Sequence, residues 1–359
     1  MTKLKTPISQ PSGLQPSIAT ASWLKAAGAL VLGSSLLFGS GNLFAQPGEP
    51  PADWGPVSST MDEVQYPHPV SLLPVTHFGK SGNMAYMDVA PTGRANGQTA
   101  MLFHGMNFGG IGFGPTITEL AAAGFRVVVP DRIGYGKSSK MDIPYNLHIF
   151  AADSKKLLDH LGIDKAAIVG HSMGGMLAAR FTMTYPDTVT HMVLVNQIGM
   201  TDQRQGRGWS DIDEAAARVQ ASTSYQSILA NHMRYYNTEI KPEYLEFVRM
   251  QYGQTLSADW PLLARIRAWQ QAILFFDPVV YDWQHISTKS LVLGGADDRL
   301  TNDFAGQARR VAETLQNAEL NLYPGIGHNP HFEHPEQYHA DLIAFLRSDP
   351  SQPADSSWK

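Results

Sequence analysis

The sequence predicts an α/β protein whose mostly parallel sheet carries helices on both faces. Short, continuously apolar runs such as 125–130 are bounded by turn residues, as the buried strands of parallel sheets are. Between these runs lie segments with apolar residues at helical spacing, such as 146–161, which is followed by Gly162. The chain has 359 residues, of which 43% are hydrophobic and 16% charged, so it can bury a large core. Strands that alternate with helices in this way form a sheet covered on both sides.

The individual elements follow from the same patterns, in chain order. Glycine ends two of the helices and Pro186 stops a third, because proline cannot continue a helix. The predicted strands are 82–89, 99–103, 125–130, 165–169, 191–195, 290–293 and 320–323. The predicted helices are 116–123, 146–161, 173–185, 303–315 and 336–346.

Residues 199–286 interrupt the alternation, because they contain no convincing strand and are too long for a loop. We expect a helical cap over the sheet, inserted between two core segments, 64–198 and 287–348. Its aromatic residues Trp209, Phe275, Phe276 and Trp283 are candidates for lining a substrate pocket, although packing alone could explain each of them. Such a roof would favour apolar substrates over highly charged ones.

The N-terminal 45 residues form a separate segment with the order of a secretory signal peptide. Lysines at positions 3, 5 and 25 precede a short apolar run, 26–38, and cleavage is expected near Ala45. The run is short for a membrane span, so export is predicted, to the periplasm or outside the cell, without stable membrane insertion after cleavage. An uncleaved anchor is the alternative. Residues 46–63 are expected to form a linker or an extended strap, and 349–359 a flexible tail.

Composition excludes several classes of function. The formal net charge is −5 and no long run of like charges occurs, so nucleic acid is not an expected partner. Without cysteine the chain has no thiolate nucleophile, iron–sulfur cluster or cysteine-ligated zinc. Residues 136–138 resemble the end of a phosphate-binding loop, but Asp131 stands where its first glycine would be, and 109–114 lack the dinucleotide-binding pattern. We therefore expect no cofactor.

Ser172 is the candidate nucleophile. It lies in Gly-His-Ser-Met-Gly-Gly, between the predicted strand 165–169 and a helix, which is the context in which G-x-S-x-G forms a sharp turn with an exposed hydroxyl. Only small residues fit around such a turn, and here they are Gly170, Gly174 and Gly175. A serine hydroxyl needs a neighbouring base to act as a nucleophile.

The base and the acid are expected after later strands, in the order serine, acid, histidine. His328 follows the last strand, with His331 as its rival; a metal site of His328, His331 and His334 is disfavoured because Pro330 and Pro335 disrupt a common helical face. Two adjacent carboxylates, Asp297 and Asp298, follow the strand 290–293, whereas the preceding strand ends in Asn196.

An oxyanion site is expected from backbone N–H groups. The turn His104-Gly105-Met106-Asn107 follows another strand and would present the amide of Met106, with that of Asn107 as the alternative. The amide of Met173, directly after the nucleophile, would be the second donor.

Taken together, these motifs resemble the α/β-hydrolase superfamily over residues 64–348. The resemblance rests on the segments 104–107, 131–138, 170–175, 295–298 and 327–333. It implies a mostly parallel eight-stranded sheet with a helical cap after strand 6, and a triad of Ser172, Asp298 and His328. Asp298 is preferred over Asp297 because it precedes Arg299, as the acid commonly does in related sequences.

The branch that the chain is most similar to holds esterases, cofactor-free haloperoxidases and meta-cleavage-product C–C hydrolases. We expect an exported serine hydrolase acting on an ester or similar acyl bond of a small, largely apolar substrate. A C–C hydrolase and a non-catalytic binding protein are the alternatives. Dehalogenase and epoxide hydrolase activities are disfavoured, because those relatives carry aspartate at the position of Ser172.

Overall fold

Eight strands form the centre of the protein, and the computed structural model describes residues 48–206, 208, 210–238 and 240–358. The strands are β1 Val70–His77, β2 Lys80–Val89, β3 Thr99–Phe103, β4 Arg126–Pro130, β5 Ala166–His171, β6 Val189–Val195, β7 Ser290–Gly295 and β8 Ala318–Tyr323. They form one sheet in the order β1-β2-β4-β3-β5-β6-β7-β8. β1, β2 and β4 pair antiparallel, and the other neighbours pair parallel. The predicted α/β class with a mostly parallel sheet is confirmed.

Helices cover both faces of this sheet because its strands are apolar on both sides. In β3, Met101 and Phe103 face one hydrophobic cluster while Ala100 and Leu102 face another, as the alternation of a strand requires. The helices are α1 Gly114–Ala122, α2 Leu147–His160, α3 Met173–Thr184, α4 Ile212–Ser222, α5 Tyr225–Met233, α6 Leu245–Thr255, α7 Trp260–Phe276, α8 Phe304–Thr314, α9 Pro330–Glu333 and α10 Pro335–Arg347. Helices α2, α3 and α8 contribute to the first cluster, and α1 and α10 to the second.

Strand β1 is absent from the elements predicted from the sequence. Only Leu73 and Val75 are fully buried in this strand, since it lies at the edge of the sheet and pairs with β2 alone. An edge strand with so few buried residues gives a weak apolar signal.

Helices α4 to α7 lie between β6 and β7, within the predicted insertion. A third hydrophobic cluster joins this insertion to the loop after β3 and to the segment around Val57; it contains Val57, Phe108, Tyr235, Phe247 and Met250. The rings of Phe108 and Phe247 lie 4.9 Å apart in an edge-to-face arrangement. The insertion is therefore anchored directly above the loop after β3.

The segment around Val57 packs against the fold as a strap. Val57 is fully buried, and its N–H donates to the carbonyl of Gly253 in α6 at 3.0 Å. Lys137 Nζ donates to the carbonyl of Met61 at 2.6 Å. These contacts fit the strap alternative for 46–63 and not a free linker.

The C-terminal residues also differ from expectation. The predicted flexible tail packs against β8, where the indole N–H of Trp358 donates to the carbonyl of Ala318 at 3.1 Å. The N–H of Ala354 donates to Asn317 Oδ1 at 2.7 Å. Trp358 is partly buried and packs against the first hydrophobic cluster, which supplies an apolar contact for this segment. The signal-peptide prediction for 1–45 lies outside the described residues.

Candidate active site

Ser172 occupies a strained turn between β5 and α3. Its backbone has φ 56° and ψ −120°, a conformation that side-chain-bearing residues rarely adopt. Glycines make the turn possible: a Cβ added to Gly170 would lie 2.2 Å from the carbonyl oxygen of Gly174, and one added to Gly174 would lie 2.0 Å from that of Phe103. The strain and the crowding hold the serine at the carboxyl edge of the sheet, with 6% of its surface exposed.

His328 and Asp298 form a buried hydrogen-bonded pair after β8 and β7. His328 Nδ1 donates to Asp298 Oδ2 at 2.6 Å, because a carboxylate can only accept. Burial opposes ionisation of Asp298, but His328 and the hydrogen bonds from Leu300 and Asn196 hold its pKa below the ordinary value. With its proton on Nδ1, His328 presents an unprotonated Nε2, for which the described residues offer no hydrogen-bond partner. This nitrogen can accept a proton.

The neighbouring carboxylate has a different function in the structure. Asp297 Oδ2 accepts a hydrogen bond from the N–H of Gly325 at 2.6 Å, and its side chain is exposed. It therefore braces the loop between β8 and His328. Of the two aspartates left open by the motif, the structure places Asp298 against the histidine.

His171, the residue directly before Ser172, connects the serine turn to His328. His171 Nε2 donates to the carbonyl of His328 at 3.0 Å, and the two rings lie 4.9 Å apart. Burial lowers the pKa of His171 to about 3, so the ring is neutral near pH 7. His331, the rival base, packs against His171 with ring centroids 4.8 Å apart, and burial lowers its pKa well below the ordinary range. Among the described residues Asp298 pairs with His328 and not with His331.

The expected oxyanion donors belong to two segments that adjoin Ser172. Met173 is the first residue of α3, so its N–H belongs to the first turn and has no acceptor within the helix. On the other side, a Cβ added to Gly105 would lie 3.1 Å from the Cβ of Ser172, which brings the turn containing Met106 against the serine. Both segments therefore lie next to the candidate nucleophile, and the oxyanion function of their amides stays a prediction.

A buried arginine that the sequence analysis missed holds this turn. Arg132 Nη1 donates to the carbonyl of His104 at 2.5 Å, and Nη2 donates to that of Gly105 at 3.3 Å. Its guanidinium also lies 4.5 Å from the ring centroid of Tyr135. Arg132 follows Asp131 in the motif 131–138, so the sequence contained the residue but not its contact with a turn 28 positions earlier.

The insertion contributes different residues from those predicted. Tyr235, just after α5, stacks on the His328 ring at 5.5 Å, and its carbonyl accepts the N–H of His328 at 2.8 Å. A cavity of about 50 Å³ lies beside Met106 and Asn107, and Met250, Gln251 and Arg267 of the insertion line it. Of the predicted aromatic residues that the structure describes, Phe275, Phe276 and Trp283, none lines this cavity.

The predicted lining residues occupy other places. Phe275 lines an outer cleft between α4 and α7, and Phe276 is 49% exposed. Trp283 is buried in the first core cluster, in a short helical turn that packs against α8. These placements correct the prediction that Phe275, Phe276 and Trp283 line the substrate pocket. Trp283 is instead part of the hydrophobic core, where packing alone accounts for it. Trp209 lies outside the described residues.

The described residues contain no group of three or more potential metal ligands in binding geometry. His328 bonds to Asp298, His331 faces His171, and the ring of His334 lies 5.2 Å from that of Tyr323, so the three histidines do not converge. Within the same part of the chain, no helix has both the length and the apolar character that crossing a membrane requires.

The sequence matches the family model of the alpha/beta hydrolase fold over residues 101–335. The chain belongs to the α/β-hydrolase family. It is 33% identical to a probable hydrolytic enzyme from Pseudomonas aeruginosa PAO1 of known crystal structure, with a TM-score of 0.78 over 82% of this chain and 99% of that one. It is therefore a hydrolase of this fold.

Two curated relatives lie within the branch that the sequence resembles. A non-heme chloroperoxidase from Streptomyces lividans is 27% identical over 74% of this chain and 96% of its own length. A 2-hydroxy-6-oxo-6-phenylhexa-2,4-dienoate hydrolase from Burkholderia cepacia is 27% identical over 70% of this chain and 88% of its own length. Both are similar to this α/β-hydrolase across the whole catalytic region.

Proposed function

We propose that the protein is an exported serine hydrolase that cleaves a carboxylic ester, or a similar acyl bond, of a small and largely apolar substrate. The observation that carries the proposal is the state of His328: Asp298 fixes its Nδ1 proton, and its buried Nε2 has no hydrogen-bond partner among the described residues. The strained turn of Ser172 adjoins it through His171. Such a nitrogen is a base prepared for the hydroxyl of Ser172.

The reaction has two halves. The Ser172 oxygen attacks the acyl carbon as His328 Nε2 takes its proton, and the electron pair of the carbonyl moves to its oxygen. The amides of Met106 and Met173 donate to that oxyanion. When the carbonyl re-forms, the bond to the alcohol breaks, and the alcohol leaves with the proton from His328. Water then repeats these steps on the acyl-enzyme, and the acid is released.

A fluorophosphonate label combined with a panel of acyl esters of graded chain length tests this proposal. Wild-type protein should be labelled at Ser172 and should hydrolyse some of the esters. Ser172→Ala should lose labelling and about 10⁴-fold or more of the turnover, with an unchanged melting temperature. Turnover retained in a folded Ser172→Ala variant would contradict the assignment of the nucleophile.

A C–C hydrolase of the meta-cleavage-product type is the second candidate, favoured by the similarity to the Burkholderia cepacia dienoate hydrolase. It would cleave a carbon–carbon bond next to a vinylogous ketone and bleach a coloured dienolate. Export weighs against it, since aromatic ring cleavage is usually intracellular. Loss of dienolate absorbance at a rate well above that of ester cleavage would favour this candidate.

Export is part of the proposal, with release of residues 1 to about 45. It is motivated by the lysine-flanked apolar run 26–38. N-terminal sequencing of the protein from its native compartment tests it. An intact Met1 on a cytoplasmic protein would overturn it.

A further inference from the structure

Arg267 of α7 reaches the cavity beside the oxyanion turn. Its side chain is only partly exposed, and it lines both this cavity and the outer cleft of about 370 Å³ between α4 and α7. Arg267 Nη2 donates to Asn107 Oδ1 at 2.9 Å, and Asn107 directly follows Met106. A guanidinium therefore lies one residue from a proposed oxyanion donor.

This guanidinium has no carboxylate partner among the described residues. No Asp or Glu oxygen of that part of the chain lies within 4.0 Å of it. Burial lowers the pKa of Arg267, and the acidic side chains close enough to oppose this shift are the phenols of Tyr235 and Tyr135. Burial raises the pKa of both, so they are neutral near pH 7. His232, also close by, is neutral there because burial lowers its pKa to about 3.

Arg180 is a buried arginine of the same chain that does have carboxylate partners. Its Nη1 donates to Asp277 at 2.5 Å and its Nε donates to Asp282 at 2.8 Å, so two carboxylates compensate one buried cation. Arg132, which lacks a carboxylate, has two backbone carbonyls as acceptors instead. Arg267 differs from both, since its acceptor is one amide oxygen. No nitrogen of Arg267 is both buried and without a partner, so its remaining N–H groups are open to the two cavities, where a ligand can reach them.

The rest of the cavity suits an anion. Its lining contains no aspartate or glutamate, and Lys140 is its second basic side chain. Burial lowers the pKa of Lys140 to about 7, and its Nζ donates to the carbonyls of Tyr135, Gly136 and Ser138 at 3.2, 2.6 and 2.7 Å, which uses all three of its donors and leaves the anion to Arg267. Apolar side chains of Met61, Met106, Met250, Leu263 and Ile266 and the amides of Gln251, Gln254 and Gln270 complete the wall. A volume of about 50 Å³ holds more than one water, and so a group of carboxylate size.

We propose that Arg267 binds a carboxylate of the substrate while the scissile carbonyl lies at the amides of Met106 and Met173. The inference rests on the proposed acyl hydrolysis and narrows its substrate class to acyl compounds with one anionic group on an otherwise apolar body. Arginine is suited to this function because its planar guanidinium matches a carboxylate with two parallel hydrogen bonds. Because the anchor lies beside the oxyanion turn, a bound carboxylate would also orient the ester.

The test compares two 4-nitrophenyl esters that differ in one charge: mono-4-nitrophenyl glutarate, which has a free carboxylate, and methyl 4-nitrophenyl glutarate, in which that carboxylate is a neutral methyl ester. Wild-type enzyme should have the higher kcat/KM for the acid. In Arg267→Met the ratio of acid to neutral kcat/KM should fall by about 30-fold or more, mainly through KM, because a buried charge pair loses one partner. The ratio cancels any general effect of losing the hydrogen bond to Asn107. Arg267→Lys should keep part of the preference, since it keeps the charge but loses the fork.

Arg249→Met is the matched control. Arg249 lies on the neighbouring helix α6, and its guanidinium pairs with Glu246 at 2.6 Å on the surface. This variant should keep the wild-type ratio. An alkyl phosphate monoester, measured as an inhibitor beside an alkyl carboxylate of the same chain length, tests the alternative anion, and equal or tighter Arg267-dependent binding of the phosphate would overturn the carboxylate assignment.

An acid-to-neutral ratio that is the same in wild type and Arg267→Met would overturn the inference. If both proteins still hydrolyse the neutral ester and are labelled at Ser172, the proposed function stands and only the subsite is lost. If wild-type protein neither hydrolyses an ester nor reacts with the fluorophosphonate, the proposed function itself fails.

Discussion

Replacing Asp298 by asparagine should disable the base without disturbing the fold. In the structure Asp298 Oδ1 accepts from the N–H of Leu300 at 2.8 Å, while Oδ2 accepts from His328 Nδ1 at 2.6 Å and from Asn196 Nδ2 at 3.1 Å. An asparagine has one oxygen and one NH₂ group for these three donors. Whichever way the amide turns, its NH₂ faces at least one of them.

The tautomer of His328 follows from this conflict. With the oxygen kept at Leu300, the new NH₂ faces His328, which then accepts at Nδ1 and carries its proton on Nε2. That nitrogen can no longer take the proton of Ser172. We expect kcat to fall by about 10³- to 10⁴-fold, which corresponds to about 4 to 5.5 kcal/mol in activation free energy.

The assay is steady-state turnover of the best ester substrate, with melting temperature as the measure of folding. Asp297→Asn is the matched control, because Asp297 only braces the N–H of Gly325 on the exposed loop. That variant should retain kcat within about threefold, as surface changes away from the reacting groups usually do. If Asp297→Asn proves the more damaging change, or if Asp298→Asn is harmless, the tautomer argument is wrong.

Three further predictions follow from the same contacts. Because its pKa in the folded protein is lowered, ionised Asp298 stabilises the fold at pH values above the ordinary pKa of 3.8, and this contribution is lost as the pH falls below that value. In urea unfolding, the free energy of unfolding of wild type should exceed that of Asp298→Asn by less at about pH 3 than at about pH 6. A difference that stays constant over this range would contradict the prediction. Gly174→Ala should cost about 3 kcal/mol of unfolding free energy, because the new Cβ meets a backbone carbonyl at 2.0 Å, whereas Gly206→Ala, with nothing within 4 Å, should change it by less than about 0.5 kcal/mol. Arg132→Met should loosen the oxyanion turn and lower kcat by about 10²-fold with little change in KM; a lower melting temperature with unchanged kcat would make Arg132 merely structural.

Local sequence signals were sufficient wherever geometry depends on neighbours in the chain. The glycines around Ser172 predict the sharp turn that the structure shows. The strands predicted at 290–293 and 320–323 appear in the structure with ends within two residues of those expected. Strand β1 was not predicted because only Leu73 and Val75 are buried in it, which gives too weak an apolar pattern in the sequence. The choice between Asp297 and Asp298 needed either the resemblance to a family or coordinates, since two adjacent carboxylates look alike in sequence.

Arg267 shows why the remainder of the site needed the fold. Each residue turns a helix by about 100°, so two residues that are two positions apart are related by a rotation of about 200° and lie on nearly opposite faces. Arg265 therefore points away from Arg267 and pairs with Asp142 at 3.0 Å, as exposed helical arginines commonly do. Arg267 shares its side of α7 with the buried residues Leu263 and Gln270, at helical spacing. That pattern places a cation on the inner face of the helix, but only the packing of α7 against Asn107, 160 positions earlier, aims it at the catalytic turn.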